Sequence, residues 1–286
     1  MKVFFLPYCA AMWRSLYPLW QEHKDAGDDV SVLPIPYYGR DRSGALATYH
    51  WDICRYPVPV RQGVCISEEH PDIIYFHNPY DGDNTITSVD PSMYSYRLRE
   101  VTDELIYAPY YTEGMGGDLE SAVRAPGVEN ADKIITWSED QQKAYQFWHP
   151  DKEVILKKRP PLPPAEVPEE WARRAHGRRV IFFGTSLSSL MRDPVSEIRK
   201  INQVIRQNTE CLLWRPHPLF VDTINALFPQ YGGLYMRCLE RFAQTDGIFD
   251  DSWDLERAAV IADEYLGDPS SVVKLFWDQN KPVRLI

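Results

Sequence analysis

The sequence predicts an α/β protein in two halves, each built on a parallel sheet, and three observations predict it. Short apolar runs recur along the chain, each followed by a polar turn and then a helical pattern, which is the order of βαβ units. Several of these runs stop at dense polar turns, as strands do where an open α/β sheet offers its carboxyl ends to a ligand. Between the halves lies Lys157-Lys158-Arg159-Pro160-Pro161-Leu162-Pro163-Pro164, in which four of the last five residues are proline. Proline lacks a backbone donor and fixes φ, so this segment continues neither a helix nor a central strand and forms a stiff, extended connector. The expected organisation is two Rossmann-like domains, residues 1–158 and 159–286, with parallel sheets facing across a cleft.

In the first half, residues 2–6 read as a buried strand, and Pro7 turns the chain. Residues 10–24 place Met12, Leu16, Leu19 and Trp20 at helical spacing, with Gly27 as the C-terminal cap. Residues 30–35 form the second strand. Residues 36–71 read as a long irregular stretch rich in aromatics, among them Tyr37, Tyr38, Tyr49, Trp51 and Tyr56. Such a stretch is either a functional loop or an insertion packing its own side chains. The strand at 73–76 runs into His77-Asn78-Pro79-Tyr80-Asp81-Gly82-Asp83-Asn84. Asp81-Gly82-Asp83 has the form of a metal-binding Asp-x-Asp, but Asp-Gly is also an ordinary turn pair, and no metal is assigned. Residues 105–108 and 133–137 are further strands, and Ser138 caps a helix reaching Phe147. Between them, Tyr110, Tyr111, Glu113 and Gly114-Met115-Gly116-Gly117 read as a flexible loop. Residues 154–156 close the half.

The second half is expected to contain a helix at 168–175, a strand at 179–183, a helix at 195–207, a strand at 211–214, a helix at 220–228, strands at 247–249 and 260–266, a helix at 272–277 and a last strand at 283–286. The first strand is followed by Gly184-Thr185-Ser186-Leu187-Ser188-Ser189. Its small hydroxyl residues either donate to a phosphate or simply cap the next helix. The strand at 211–214 meets Arg215-Pro216-His217-Pro218, where the prolines force it to end. Arg215 has a planar fork of donors suited to phosphate, and His217 can hold or move a proton near neutral pH. The strand at 260–266 meets Gly267-Asp268-Pro269-Ser270-Ser271. Asp268 and Ser270 are N-cap residues for the helix that follows, whose free N–H groups would receive an anion.

Arg-Pro-His-Pro at 215–218, Asp-Pro-Ser-Ser at 268–271 and Asn280-Lys281-Pro282-Val283, in that order, resemble the CDP-glycerol:poly(glycerophosphate) glycerophosphotransferase family, the teichoic-acid primases and polymerases. The resemblance is strongest over residues 179–283 and continues more weakly through 72–91. The family usually has tyrosine where Pro269 stands, and Gly-Thr where Asn78-Pro79 follows His77. The resemblance implies a two-Rossmann-domain glycosyltransferase architecture, of the glycosyltransferase-B kind, with an acceptor side in the first half and a donor side in the second. It implies a CDP-linked polyol as donor, an unidentified acceptor of the lipid-linked saccharide or polymer kind, and no cofactor. In that reading Arg215, Asp268, Ser270, Ser271, Thr185, Ser186 and Asp81 bind substrate, and His77 and His217 are catalytic. His77 would take the acceptor proton while the acceptor hydroxyl attacks the phosphorus next to the alcohol and CMP leaves. Two other readings share the fold: hexosyl transfer from a UDP- or GDP-sugar, and a non-catalytic nucleotide-binding protein. Neither imidazole is expected in the core.

Composition narrows the classes. A net charge of −10 disfavours nucleic acid and anionic lipid surfaces as electrostatic partners. The five cysteines show no metal or redox spacing and read as reduced thiols. No Gly-x-Gly-x-x-Gly follows the first strand, which disfavours a nicotinamide dehydrogenase. No run approaches the ~20 apolar residues of a transmembrane span, and no signal peptide is visible. The expected location is therefore cytoplasmic, with the family resemblance adding the inner membrane face. A helix crossing back onto the first half finds no place after 283–286, so a minimal form of the fold or a shortened chain is expected.

Overall fold

A computed structural model describes residues 1–110, 122–158 and 166–286. These fall into two compact units, one holding residues 1–110 and 122–158, the other 166–286. The glycines at 114–117 and the prolines at 160–164 lie outside the described residues.

The first unit is built on six parallel strands: β1 (Lys2–Leu6), β2 (Asp29–Val32), β5 (Ile73–Phe76), β7 (Glu104–Tyr107), β8 (Lys133–Thr136) and β9 (Glu153–Leu156), in the order β2-β1-β5-β7-β8-β9. Central β1 and β5 are apolar on both faces because helices cover both sides of a parallel sheet. Register pairs Phe5 with Tyr75, and their rings stack at 4.8 Å. The expected helix over 10–24 is split into a 3-10 turn, Ala10–Ser15, and an α-helix, Tyr17–Asp25. Pro18 explains the break: within a continuous helix its ring would meet the carbonyl of residue 14, whereas in the first turn its missing N–H costs nothing.

The stretch at 36–71 is more regular than expected. Strands β3 (Tyr37–Arg40) and β4 (Leu46–His50) form an antiparallel hairpin, and β6 (Thr87–Val89) pairs with β3 to complete a three-stranded sheet. The signal was present in the sequence: β-forming Tyr-Tyr and Thr-Tyr pairs flank Gly44, which takes the left-handed φ of 84° that the turn needs.

The second unit has five parallel strands: β10 (Val180–Thr185), β11 (Cys211–Pro216), β12 (Ile248–Phe249), β13 (Glu264–Gly267) and β14 (Val283–Leu285), in the order β12-β11-β10-β13-β14. One face buries Ile181, Phe183, Trp214 and Leu266 against helices Pro194–Gln207 and Gly232–Ala243, and the other buries Phe182, Leu213 and Tyr265 against Phe276. The even-odd alternation along β10 is what a strand covered on both faces produces. Three expectations are corrected here. Strand β11 runs on through Arg215 and Pro216. The helix Gly232–Ala243 was not foreseen. Residues 255–261, expected to open a strand at 260, form the helix Leu255–Ile261. The side chain of Asp254 accepts the Arg257 N–H at 2.8 Å and caps it; a short apolar run such as Ala-Ala-Val-Ile-Ala has no periodicity to separate helix from strand.

Candidate functional site

In the second unit the chain leaves β10, adds β11 and then β12 on one side, and crosses back to place β13 on the other side of β10. Strand order therefore reverses between β10 and β13, and beyond the carboxyl ends of such a pair lies the ligand crevice of an open α/β sheet. The residues singled out in this half converge on the end of β10. His217 donates its backbone N–H to the Thr185 carbonyl at 3.0 Å, and Asp268 donates its own to the Gly184 carbonyl at 3.2 Å. Gly267, at φ 149°, lies against the backbone of Gly184 so closely that a Cβ there would strike the Gly184 carbonyl oxygen.

Asp268 is buried and does not cap the helix after it. That helix, Val273–Trp277, starts from Val272 with no side-chain cap. The Asp268 carboxylate turns the other way, accepting the Ser186 N–H at 2.7 Å, the Ser189 hydroxyl at 2.8 Å and the ammonium of Lys200. Ser186 in turn accepts the Ser189 N–H at 3.2 Å and caps the helix Leu187–Arg192. Ser270 lies 3.3 Å from the Tyr265 hydroxyl, which donates to the Asp268 carbonyl at 2.6 Å. Ser271 is half-buried. The Thr185 hydroxyl is buried and has no partner among the described residues.

Arg215 departs from its expected role as a free fork. Its Nη1 donates to the buried Asp250 carboxylate at 2.5 Å and its Nη2 to the Ser252 carbonyl at 2.6 Å. Its charge is thus balanced within the protein, and it fastens the loop after β12. His217 is partly accessible. Its Nδ1 accepts the Leu219 N–H at 3.1 Å, which leaves the proton of the neutral ring on Nε2. Burial pushes its pKa down to about 4, so near pH 7 it is a neutral donor.

In the first unit His77 follows β5, beside the end of β1, at the corresponding reversal of strand order. It is fully buried. Nε2 accepts the Tyr8 N–H at 2.7 Å, so Nδ1 carries the proton and donates to the Ser15 hydroxyl at 2.9 Å. Burial lowers its pKa to about 3. In this arrangement it takes a proton from a substrate only after releasing the Tyr8 amide, and the expectation that it stands outside the core does not hold. Asp81, also buried, accepts the Ser95 N–H at 2.9 Å and the Ser95 hydroxyl at 2.7 Å, tethering the helix Ser95–Arg99. Burial raises its pKa. Asp83 is exposed, and no group of three or more metal-ligating side chains occurs among the described residues.

Sequence reasoning missed Lys200, Glu197 and Asp250. Glu197 and Lys200 share one face of the helix Pro194–Gln207, and at that spacing they read as a solvated ion pair. Only the fold carries them to Asp268.

No protein-family model matches the chain, and no curated protein matches it in sequence. Its fold does match solved structures. UDP-GlcNAc 2-epimerase of Methanocaldococcus jannaschii, in complex with UDP-GlcNAc and UDP, aligns with a TM-score of 0.58 at 9% identity over 100% of this chain and 83% of that one. The Neisseria meningitidis UDP-GlcNAc 2-epimerase bound to UDP-GlcNAc gives 0.57 at 11% identity over 99% and 82%. The S. aureus MnaA-UDP co-structure gives 0.57 at 12% over 99% and 79%. Likeness at such identities establishes the fold class: an α/β chain with two Rossmann-like parallel sheets, of the glycosyltransferase-B type. Among the described residues no helix is long and apolar enough to cross a membrane.

Proposed function

We propose that the chain binds a nucleoside-diphosphate-linked substrate at the carboxyl ends of β10, β11 and β13 and transfers a group from it. The observation that carries this reading is the convergence of Thr185, Ser186, His217 and Ser270 on one strand-order reversal, with the Thr185 hydroxyl unpartnered and the His217 Nε2–H unspent on Leu219. Neutral donors of this kind hold an anion without a metal by hydrogen bonding to its charge. Arg215 supports the site from behind by holding the β12 loop.

The donor we favour is a CDP-linked polyol, supported by Arg-Pro-His-Pro at 215–218 and Asp-Pro-Ser-Ser at 268–271. An acceptor hydroxyl would attack the phosphorus bearing the polyol, the P–O bond to CMP would break, and CMP would leave. Positioning and charge stabilisation supply most of such a rate enhancement. His77 would accept the hydroxyl proton once Tyr8 has moved. A second reading, a UDP-linked sugar, is supported by the UDP and UDP-GlcNAc held by proteins of the same fold.

Calorimetric titration with a CDP-polyol, UDP-GlcNAc, a GDP-sugar and NAD tests both. The CDP-polyol should bind tightest. Tighter binding of UDP-GlcNAc would replace the first reading by the second, and preference for NAD would overturn both.

A further inference from the structure

Behind the Ser186–Ser189 turn lies a charged cluster that no step above uses. The helix Pro194–Gln207 directs Glu197 and Lys200 to the carboxyl end of β13. The Lys200 ammonium sits 2.7 Å from Glu197 Oε2 and also contacts Asp268 Oδ1. The side chains of Glu197 and Asp268 are 3% and 1% exposed, that of Lys200 21%. Two buried carboxyls therefore face one ammonium. Asp268 is further bonded by the Ser186 N–H and the Ser189 hydroxyl, which favour its ionised form. Glu197 has no such help: its Oε1 is buried without a hydrogen-bond partner among the described residues. An ionised carboxylate with an oxygen left dry is costly, and the remedy open to it is to keep a proton.

We propose that Glu197 and Asp268 hold one proton between them over Lys200, and that this proton fixes the Ser186–Ser189 turn at the end of β10. Glu197 and Lys200 are positioning residues, acting on the turn through Asp268. With the proton present, two carboxyls and one ammonium sum to zero, and Asp268 is free to grip the turn. Once it is lost, a second negative charge beside Asp268 competes for Lys200, and the grip on Ser186 and Ser189 loosens. The charges that Glu197 feels are those of Asp268, after β13, and of Lys200, on its own helix; Tyr265 on β13 feels Glu197 and Asp268 in turn. Burial first, and then Asp268, raise Glu197 from the ordinary 4.5 to about 7.

Between pH 4.5 and 7 the folded chain binds a proton that the unfolded chain does not, so this contribution to stability is full at low pH and is lost as pH rises through about 7. Buried histidines act in the opposite direction, so the useful quantity is the difference between melting curves of the wild type and of Glu197→Gln, a neutral isostere. That difference should be smallest below pH 4.5, grow in favour of the variant between pH 4.5 and 7, and level off above about 7. A difference that stays flat overturns the proposal. Should the variant not fold, amide exchange of Ser186 in the wild type decides. Its protection, corrected for the intrinsic pH dependence, should fall several-fold above pH 7, and protection that is equal on both sides overturns the proposal.

The consequence for ligand rests on the donor site proposed above, and the two can fail separately. CDP-polyol or UDP-GlcNAc affinity should drop several-fold from pH 6 to pH 8 in the wild type and not in Glu197→Gln. If the melting difference grows as expected while affinity ignores pH, the shared proton stands and the ligand does not touch this turn.

Discussion

The end of β5 in the first unit and the end of β11 in the second follow one sequence pattern and end in opposite conditions. Each is an apolar strand that breaks at a histidine near a proline. His77 is fully buried, with Nε2 and Nδ1 both held by the chain itself, through Tyr8 and Ser15. His217 is partly accessible and, among the described residues, uses only Nδ1, toward Leu219 two residues on. The first imidazole fastens the loop after β1 to β5. The second is pinned locally and keeps a donor available. A histidine at a strand end becomes an anchor or a binding group according to how many of its ring nitrogens the fold consumes.

The largest effect expected from this contrast concerns stability. His77→Ala removes two buried hydrogen bonds and opens a cavity, and should cost about 2–4 kcal/mol, whereas His217→Ala should stay within about 1 kcal/mol. Chemical denaturation of the two variants measures both, and equal losses would dissolve the distinction. The next effect concerns binding. His217→Ala should weaken nucleotide-ligand affinity by about 1.5–3 kcal/mol, the worth of a hydrogen bond to a charged group. His77→Ala should leave the affinity of the folded fraction unchanged, and calorimetry on both variants would expose a reversal.

Per pH unit, the smallest effect is acid sensitivity. Both histidines are held below the ordinary 6.5, at about 3 for His77 and about 4 for His217. Each therefore contributes stability that is present above pH 6.5 and lost as pH falls toward its folded value, at up to about 1.4 kcal/mol per pH unit. The partly accessible His217 should show the smaller share. Replacing either by glutamine should flatten the acid limb of the stability curve, His77→Gln down to a lower pH than His217→Gln. An acid limb unchanged in both would mean that neither ring is held neutral by burial.

The strands of the two parallel sheets were legible because their apolar runs are long enough and end at strong signals: Pro7 after β1, the His77 turn after β5, Gly267 at the end of β13. The helix Leu255–Ile261 was not, since Ala258 to Ile261 is apolar without period and its cap, Asp254, lies outside the run. The hairpin β3–β4 carried β-forming pairs around Gly44, but polar and aromatic residues suit a loop as well, so that signal alone did not decide. At the site, the residue types were readable and their commitments were not. Asp268 bonds Ser186 across 82 residues, His77 bonds Tyr8 across 69, and Arg215 pairs with Asp250 across 35. Such pairings are set by strand order, which local patterns do not encode.

The close approach of Gly267 to Gly184 also bears on how a mutational map of this chain would look. A side chain at 267 would be driven into the backbone of β10 whether or not the protein has any ligand to bind. Intolerance at 267 is therefore a demand of foldability, and it would persist in a screen that selects only for soluble expression. His217 should behave the other way, varying freely under such a screen and becoming restricted only when survival depends on the ligand. Running the two selections side by side would sort the strand-end residues into those the architecture needs and those the chemistry needs, with Gly267 as the fixed reference for the first group.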